Sequence, residues 1–272
     1  MTCVSGQPAA FESFVKARHV LEDSCKLESE LLSRRILAEY GSIFAANSEV
    51  VLPKRCFFQN DADVIAFQQT AKSSVVELNG YEIELQEAAM RSLLDAAAEA
   101  QSQGKHISPL DGSVAGKRSY SETVRIWNSR FLQALDYWVR KGRIDSELAD
   151  SVRWQPFHKQ AAQVLSWEAQ EIYFSTNFSR SIFSSTAPPG TSQHLTMLAF
   201  DVVQYSDPDV RKILNDHGWY QTIIDDAAHF TFLGVKESEL PRRGLKCVFR
   251  GSYFYWVPNL TTGAKPPQTA AQ

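Results

Sequence analysis

Apolar residues recur every three or four positions through FESFVKARHVLEDSCKLESELLSRRILAEYGSIFAA, residues 11–46. That spacing gathers side chains on one face of a helix, and one or two long helices are predicted there. Pro53 and FFQNDAD interrupt the pattern, and VIAFQQTA resumes it. SVVELNGYEIEL then alternates apolar and polar positions around Asn79-Gly80, the mark of a two-residue hairpin turn. Residues 86–103, QEAAMRSLLDAAAEAQSQ, are rich in Ala, Leu and Glu with Gly104 just beyond, so a helix with a C-terminal stop is predicted. After the polar stretch ISPLDGSVAGKRSYS, helical spacing returns in TVRIWNSRFLQALDYWVRKG, ending at Gly142, and again in HKQAAQVLSWEAQE.

Beyond residue 170 the texture changes to short β-prone runs, IYFSTNF, LTMLAFDVVQY, AHFTFLGV and KCVFRGSYFYWV, separated by Ser, Pro and Gly clusters. Helices first and strands later predict an α+β fold rather than a doubly wound sheet. The tail TTGAKPPQTAAQ is polar and carries prolines, which predicts a loose end.

Composition adds exclusions. With 272 residues, 44% hydrophobic and 22% charged, the chain has the make-up of a globular protein. A formal charge of −3 is too small a field to point to nucleic acid or a membrane surface. The opening MTCVSGQPAAFESFV lacks the apolar run of a secretory signal, and no stretch of about 18 apolar residues spans a bilayer; a soluble chain is expected. Cys3, Cys25, Cys56 and Cys247 form no C-x-x-C pair, which excludes a zinc ribbon and a thioredoxin-like site. A Cys25–Cys56 disulfide and buried thiols are equal alternatives.

The sequence has no G-x-S-x-G elbow, no H-E-x-x-H helix and no G-x-G-x-x-G. The Gly112 to Gly116-Lys117 segment fails as a P-loop, because three residues separate the glycines and Arg118 stands where Ser or Thr is required. A zinc site without cysteine must draw on histidines and carboxylates. Of six histidines, His194 and His229 stand in the most suggestive surroundings, SQHLTMLAFD and DAAHF. In a straight strand His194 and Asp201 would lie roughly 23 Å apart, so the chain must reverse near Thr196-Met197 for both to meet one ion. His229 on a later strand completes three ligands and leaves a fourth position to water. Asp226, three residues before His229, is the candidate general base, with Asp225 as its rival.

Ser192, His194, Met197, Ala199 and Asp201, followed by Asp226, Ala228, His229 and Phe230, resemble the motifs S-x-H-x-x-G-x-A-x-D and E-x-W-H-F of the zinc D-Ala-D-Ala carboxypeptidase and L-alanyl-D-glutamate endopeptidase family. Upstream, GKRSYSETVRIWNSR is similar to the family's S-G-Y-R-S-Y-x-x-Q segment, with Arg118, Ser119 and Tyr120 matched and Thr123 in the Gln place. The resemblance spans roughly residues 80–235. It departs at Met197, which takes the place of a turn glycine, at Ala228 for Trp, and at Asp226 for Glu.

The resemblance implies a hedgehog/DD-peptidase-like antiparallel sheet with flanking helices, preceded by a helical N-terminal region. The division it implies is a helical extension at 1–75, a zinc peptidase domain at 76–260 and a flexible tail at 261–272. It further implies Zn2+ held by His194, Asp201 and His229, catalysis by Asp226 and Arg118, and substrate binding by Arg118, Ser192, Ser119 and Tyr120. The implied partner is a peptidoglycan stem peptide, with no nucleic acid, in a periplasmic or extracellular setting. Other readings stand beside this one. Arg118 is alternatively a salt-bridged surface residue, and Ser192 a brace for the turn. The chain is alternatively a degenerate domain of the same fold that holds cell wall or protein without cutting it, or a helical interaction protein centred on its first 75 residues. The run Tyr253-Phe254-Tyr255-Trp256 reads as a strand packed on both faces before it reads as a glycan-stacking platform.

Overall fold

A computed structural model describes residues 8–18 and 30–261 of the chain. Helix α1 (Phe11–Ala17) and helix α2 (Glu30–Tyr40) lie in the predicted N-terminal helical stretch, and α2 runs on into a 3-10 turn, Gly41–Ala45. Leu32, Ile36 and Tyr40 form the buried face of α2. They share one hydrophobic cluster with Ile83, Leu93, Trp127, Phe200 and Trp219, so this stretch packs into the same core as the rest of the chain. His19, Cys3, Cys25 and the predicted loose tail from residue 262 lie outside the described residues.

Helix α3 (Asp61–Thr70) starts where the Asn60 side chain accepts the Asp63 N–H, satisfying one of the free donors of a helix N-terminus. Strands β1 (Ser73–Leu78) and β2 (Tyr81–Gln86) pair antiparallel with Leu78 opposite Tyr81. Asn79 (φ 52°) and Gly80 (φ 83°) make the predicted two-residue turn; both positive φ values match the twist of the strands. Helix α4 (Glu87–Ser102) follows without a loop, and helix α5 (Tyr120–Arg140) opens on a reciprocal cap between Ser119 and Glu122.

Helix α6 (Ser146–Arg153) was not legible in the sequence, being only eight residues long, and α7 (Phe157–Glu168) falls where a helix was predicted. The predicted strand IYFSTNF is instead a loop. Its apolar side chains are buried by stacking, with Phe174 between Phe131 and Trp167 at centroid distances of 5.8 and 5.5 Å. Its backbone closes on itself, the Ser175 N–H donating to the Arg180 carbonyl at 3.1 Å, so no strand partner is needed. Likewise LTMLAFDVVQY supplies only the short strand β3 (Ala199–Asp201).

The C-terminal part adds α8 (Pro208–Asp216), which the sequence reading also missed, then β4 (Trp219–Gln221) and β5 (His229–Phe232), and a hairpin of β6 (Leu245–Arg250) and β7 (Tyr253–Pro258). Strands β3, β5 and β4 form an antiparallel sheet with β5 in the middle. Its register sets Asp201 opposite His229. Helices and small antiparallel sheets combine in one α+β fold, as predicted. No described helix is long and apolar enough to cross a membrane. Cys56 and Cys247 are both disulfide-bonded, so the thiol alternative does not hold for them; Cys25, the partner considered for Cys56, is among the residues not described.

Candidate metal centre

The reversal required between His194 and Asp201 is a 3-10 turn, Gln193–Thr196, closed by Met197 in the left-handed region (φ 58°, ψ 30°). A side chain there is strained, and Met197 is fully buried, so packing holds it in place. The segment entering the turn is anchored at Gly190 (φ 91°), whose carbonyl accepts the Phe58 N–H at 2.9 Å. A Cβ at residue 190 would stand 2.0 Å from the Phe58 oxygen; only glycine permits that approach.

The turn delivers His194 to the sheet edge where Asp201 and His229 already face each other. His194 Nε2 lies 3.1 Å from His229 Nδ1 and 3.3 Å from Asp201 Oδ2, and His229 Nδ1 lies 3.1 Å from Asp201 Oδ1. These are ligand-type atoms of three residues far apart in sequence, and among the described residues this is the cluster suited to a metal ion. A tetrahedral zinc with bonds of 2.0–2.1 Å spaces its ligand atoms about 3.3–3.4 Å apart, close to what is seen.

Proton positions test the fit. His194 Nδ1 is 2.7 Å from the Gly116 carbonyl, which only accepts; Nδ1 therefore carries the proton and Nε2 is bare. The Gln193 amide nitrogen donates to the Tyr40 carbonyl at 3.0 Å and to Ser42 Oγ at 2.9 Å. Its Oε1 is thereby turned to His229 Nε2, 2.9 Å away, so Nε2 carries a proton and the neutral ring leaves Nδ1 bare. With both rings neutral, two unprotonated ring nitrogens and a carboxylate converge, a repulsive arrangement that a cation between them relieves. The residues fit the implied zinc.

Burial lowers the His194 pKa to about 4, aided by the Arg118 charge against the opposing pull of Asp201. Burial alone would raise the Asp201 carboxyl, but a proton entering the cluster sits better on a ring nitrogen of His194 or His229, whose charge and hydrogen bond then favour the carboxylate, so Asp201 is held well below the usual range. Both shifts favour the metal-binding forms of His194 and Asp201.

A pocket opens over His194 and His229, lined also by Arg118, Ser192, Tyr40, Phe183 and Asp226. Arg118 gives Nε–H to the Val114 carbonyl at 2.9 Å and Nη2–H to Asp201 Oδ2 at 2.5 Å, so it steadies a candidate ligand and is no free surface arginine. Burial raises Asp226 to about 6, with the Asp201 charge adding to the rise while His229 and Arg118 oppose it. Among the described residues, no hydrogen bond or ion pair engages its carboxylate. Asp225 points elsewhere, to Arg250 Nε at 2.9 Å.

Two expected substrate-binding residues are placed away from the pocket. The Ser119 hydroxyl accepts the Glu122 N–H and caps α5, and Tyr120 is buried with Phe58, Val64 and Leu195. His217 pairs with Glu99 at 2.9 Å, outside the pocket. Sequence reasoning missed Gln193 and Tyr40; the only available signal was the position of Gln193 between Ser192 and His194.

No protein-family model matches the sequence, and no curated protein is similar enough to count as a relative. Solved structures that match the chain include two enzymes. One is the LdcB LD-carboxypeptidase, whose structure addresses peptidoglycan recognition (TM-score 0.34, 15% identity, covering 72% of each chain). The other is a point mutant of the vancomycin-resistance D,D-pentapeptidase VanY from a VanB-type cassette, in complex with Zn(II) (TM-score 0.34, 16% identity, 64% of this chain and 84% of that one). At that level of likeness, the functional reading stands on the geometry of the site.

Proposed function

We propose that the chain is a zinc-dependent peptidase that cuts peptidoglycan stem peptides. The observation that carries this reading is the convergence of two bare imidazole nitrogens and a carboxylate beside Asp226, a carboxylate of raised pKa on the same pocket. His194, Asp201 and His229 would hold zinc, which supplies Lewis-acid polarisation of a carbonyl and activation of water. Gln193 and the Gly116 carbonyl fix the tautomers of the two histidines. Asp226 accepts the proton of the attacking water and returns it to the leaving amine, a task suited to a carboxylate near pH 6. The guanidinium donors of Arg118 not engaged by Val114 and Asp201 hold the substrate's carbonyl or carboxylate, and Ser192 lies on the same pocket. The disulfide-bonded state of Cys56 and Cys247 suits an oxidising compartment, in keeping with a periplasmic or extracellular site of action.

One observation favours a second reading, a binding module without activity. Arg118 already neutralises Asp201, an arrangement that can persist without an ion. Metal analysis and digestion of defined muropeptides followed by mass spectrometry decide between them. About one zinc per chain and a released fragment are expected; a well-folded protein that carries no metal ends the peptidase reading. Asp226→Ala should abolish fragment release and leave zinc content unchanged, and unchanged release would remove the base from its role.

A further inference from the structure

Next in sequence to the pocket-lining Asp226 stands a charge arrangement that the proposed chemistry does not use. Asp225, next to the pocket-lining Asp226, adopts φ 69°, a left-handed conformation that is uncommon outside glycine. Its carboxylate meets arginines from two other segments, Arg250 Nε of β6 at 2.9 Å and Arg180 Nη1 at 4.0 Å. Arg180 stands just before the stretch containing Phe183, Ser185, Thr186 and Ala187, one wall of the pocket, while Ile223 and Asp226 belong to another. Three segments therefore meet on one carboxylate, next in sequence to the pocket-lining Asp226.

Two positive charges share one negative charge there. Arg250 uses only Nε, and Arg180 is beyond hydrogen-bond range. Among the described residues, neither guanidinium has another side-chain partner, and the two side chains are 46% and 55% exposed. As a structural brace such a pair is weak. As a receptor it is well made, because the unused Nη faces of a guanidinium match a carboxylate in plane and spacing.

We propose that Arg180 and Arg250, held side by side by Asp225, form a rim subsite for a free carboxylate of the peptide substrate close to the scissile bond. This deepens the peptidase reading and rests on it. The carboxylate belongs either to an acidic residue within the peptide or to its C-terminus, and one experiment separates the two.

Full-length protein is titrated calorimetrically in chelator buffer, where metal-dependent cleavage stops and binding alone is read. The probes are L-Ala-γ-D-Glu-L-Lys-D-Ala-D-Ala with both carboxylates free, with the Glu α-carboxylate amidated, and with the C-terminus amidated. Wild-type protein should lose roughly fivefold in affinity on one of the two amidations, which identifies the source. The Arg180→Ala/Arg250→Ala double variant should bind all three alike at the weaker level, with its melting temperature unchanged because both side chains are exposed. Equal wild-type affinities, no binding at all, or discrimination that survives in the variant overturns the subsite. Digestion of the same probes with zinc keeps the two readings apart: cleavage without discrimination removes the subsite alone, and discrimination without cleavage removes the peptidase alone.

Discussion

At the scale of single residues, the site is defined by where its protons are. His194 and His229 each give an N–H outward, to the Gly116 carbonyl and to Gln193 Oε1, and it is this that leaves metal-ready lone pairs inside. Gln193→Ala removes the partner of His229, and zinc affinity should fall about 10- to 100-fold in competition with a chromophoric chelator; unchanged affinity would show that His229 is oriented by other means. The titrating residues make a second expectation for the metal-free protein. His194, lowered to about 4, contributes stability that is lost as pH falls from about 6.5 towards 4. Asp226, raised to about 6, contributes stability at low pH that is lost as pH rises from about 4 to 6. The two oppose each other over the same window. Asp226→Asn should therefore gain stability relative to wild type as pH rises from about 4 to 6, measured by urea denaturation in chelator, and a flat difference would contradict the raised carboxyl.

At the scale of elements, the reversal between His194 and β3 is the most demanding piece. Met197 accepts φ 58° while burying its whole side chain. A left-handed non-glycine costs about 1–3 kcal/mol, whereas emptying a buried Met-sized space costs about 2–5 kcal/mol. Met197→Gly should therefore destabilise by about 1–3 kcal/mol, once relieved strain is set against the cavity. A stabilised variant would mean that strain outweighs packing. The β1–β2 hairpin, α4 and α5 were legible because their signals are local: Asn79-Gly80 for the turn, Ala and Leu periodicity for the helices, Gly104 and Gly142 as stops. The stretch 172–178 was misread because Phe174 is buried by stacking on Phe131 and Trp167, and β-prone composition reports burial as well as strand. The short α6 and α8 offered too few turns for a period to show.

At the scale of the whole molecule, metal and fold are expected to stabilise each other. The ligands come from a 3-10 turn and two strands, and only the folded chain assembles them. Zinc in excess should raise stability by about 4 kcal/mol at a thousand times its dissociation constant. Chelation should lower the melting temperature of wild type and leave His229→Ala unmoved; equal sensitivity in both would separate the metal from this site.

The sequence by itself singled out side chains that the fold then brings together. His194, Asp201 and His229 stood out through the residues around them, and Asp226 through its spacing from His229. It also determined the local elements that carry their own stop and turn signals. Only the tertiary structure decided that Ser119 caps a helix while Ser192 lines the pocket, that Asp225 turns outward and Asp226 inward, and that Gln193 holds His229. Those assignments depend on contacts between segments far apart along the chain, and no local pattern of residues encodes which of two neighbouring carboxylates a distant arginine will meet.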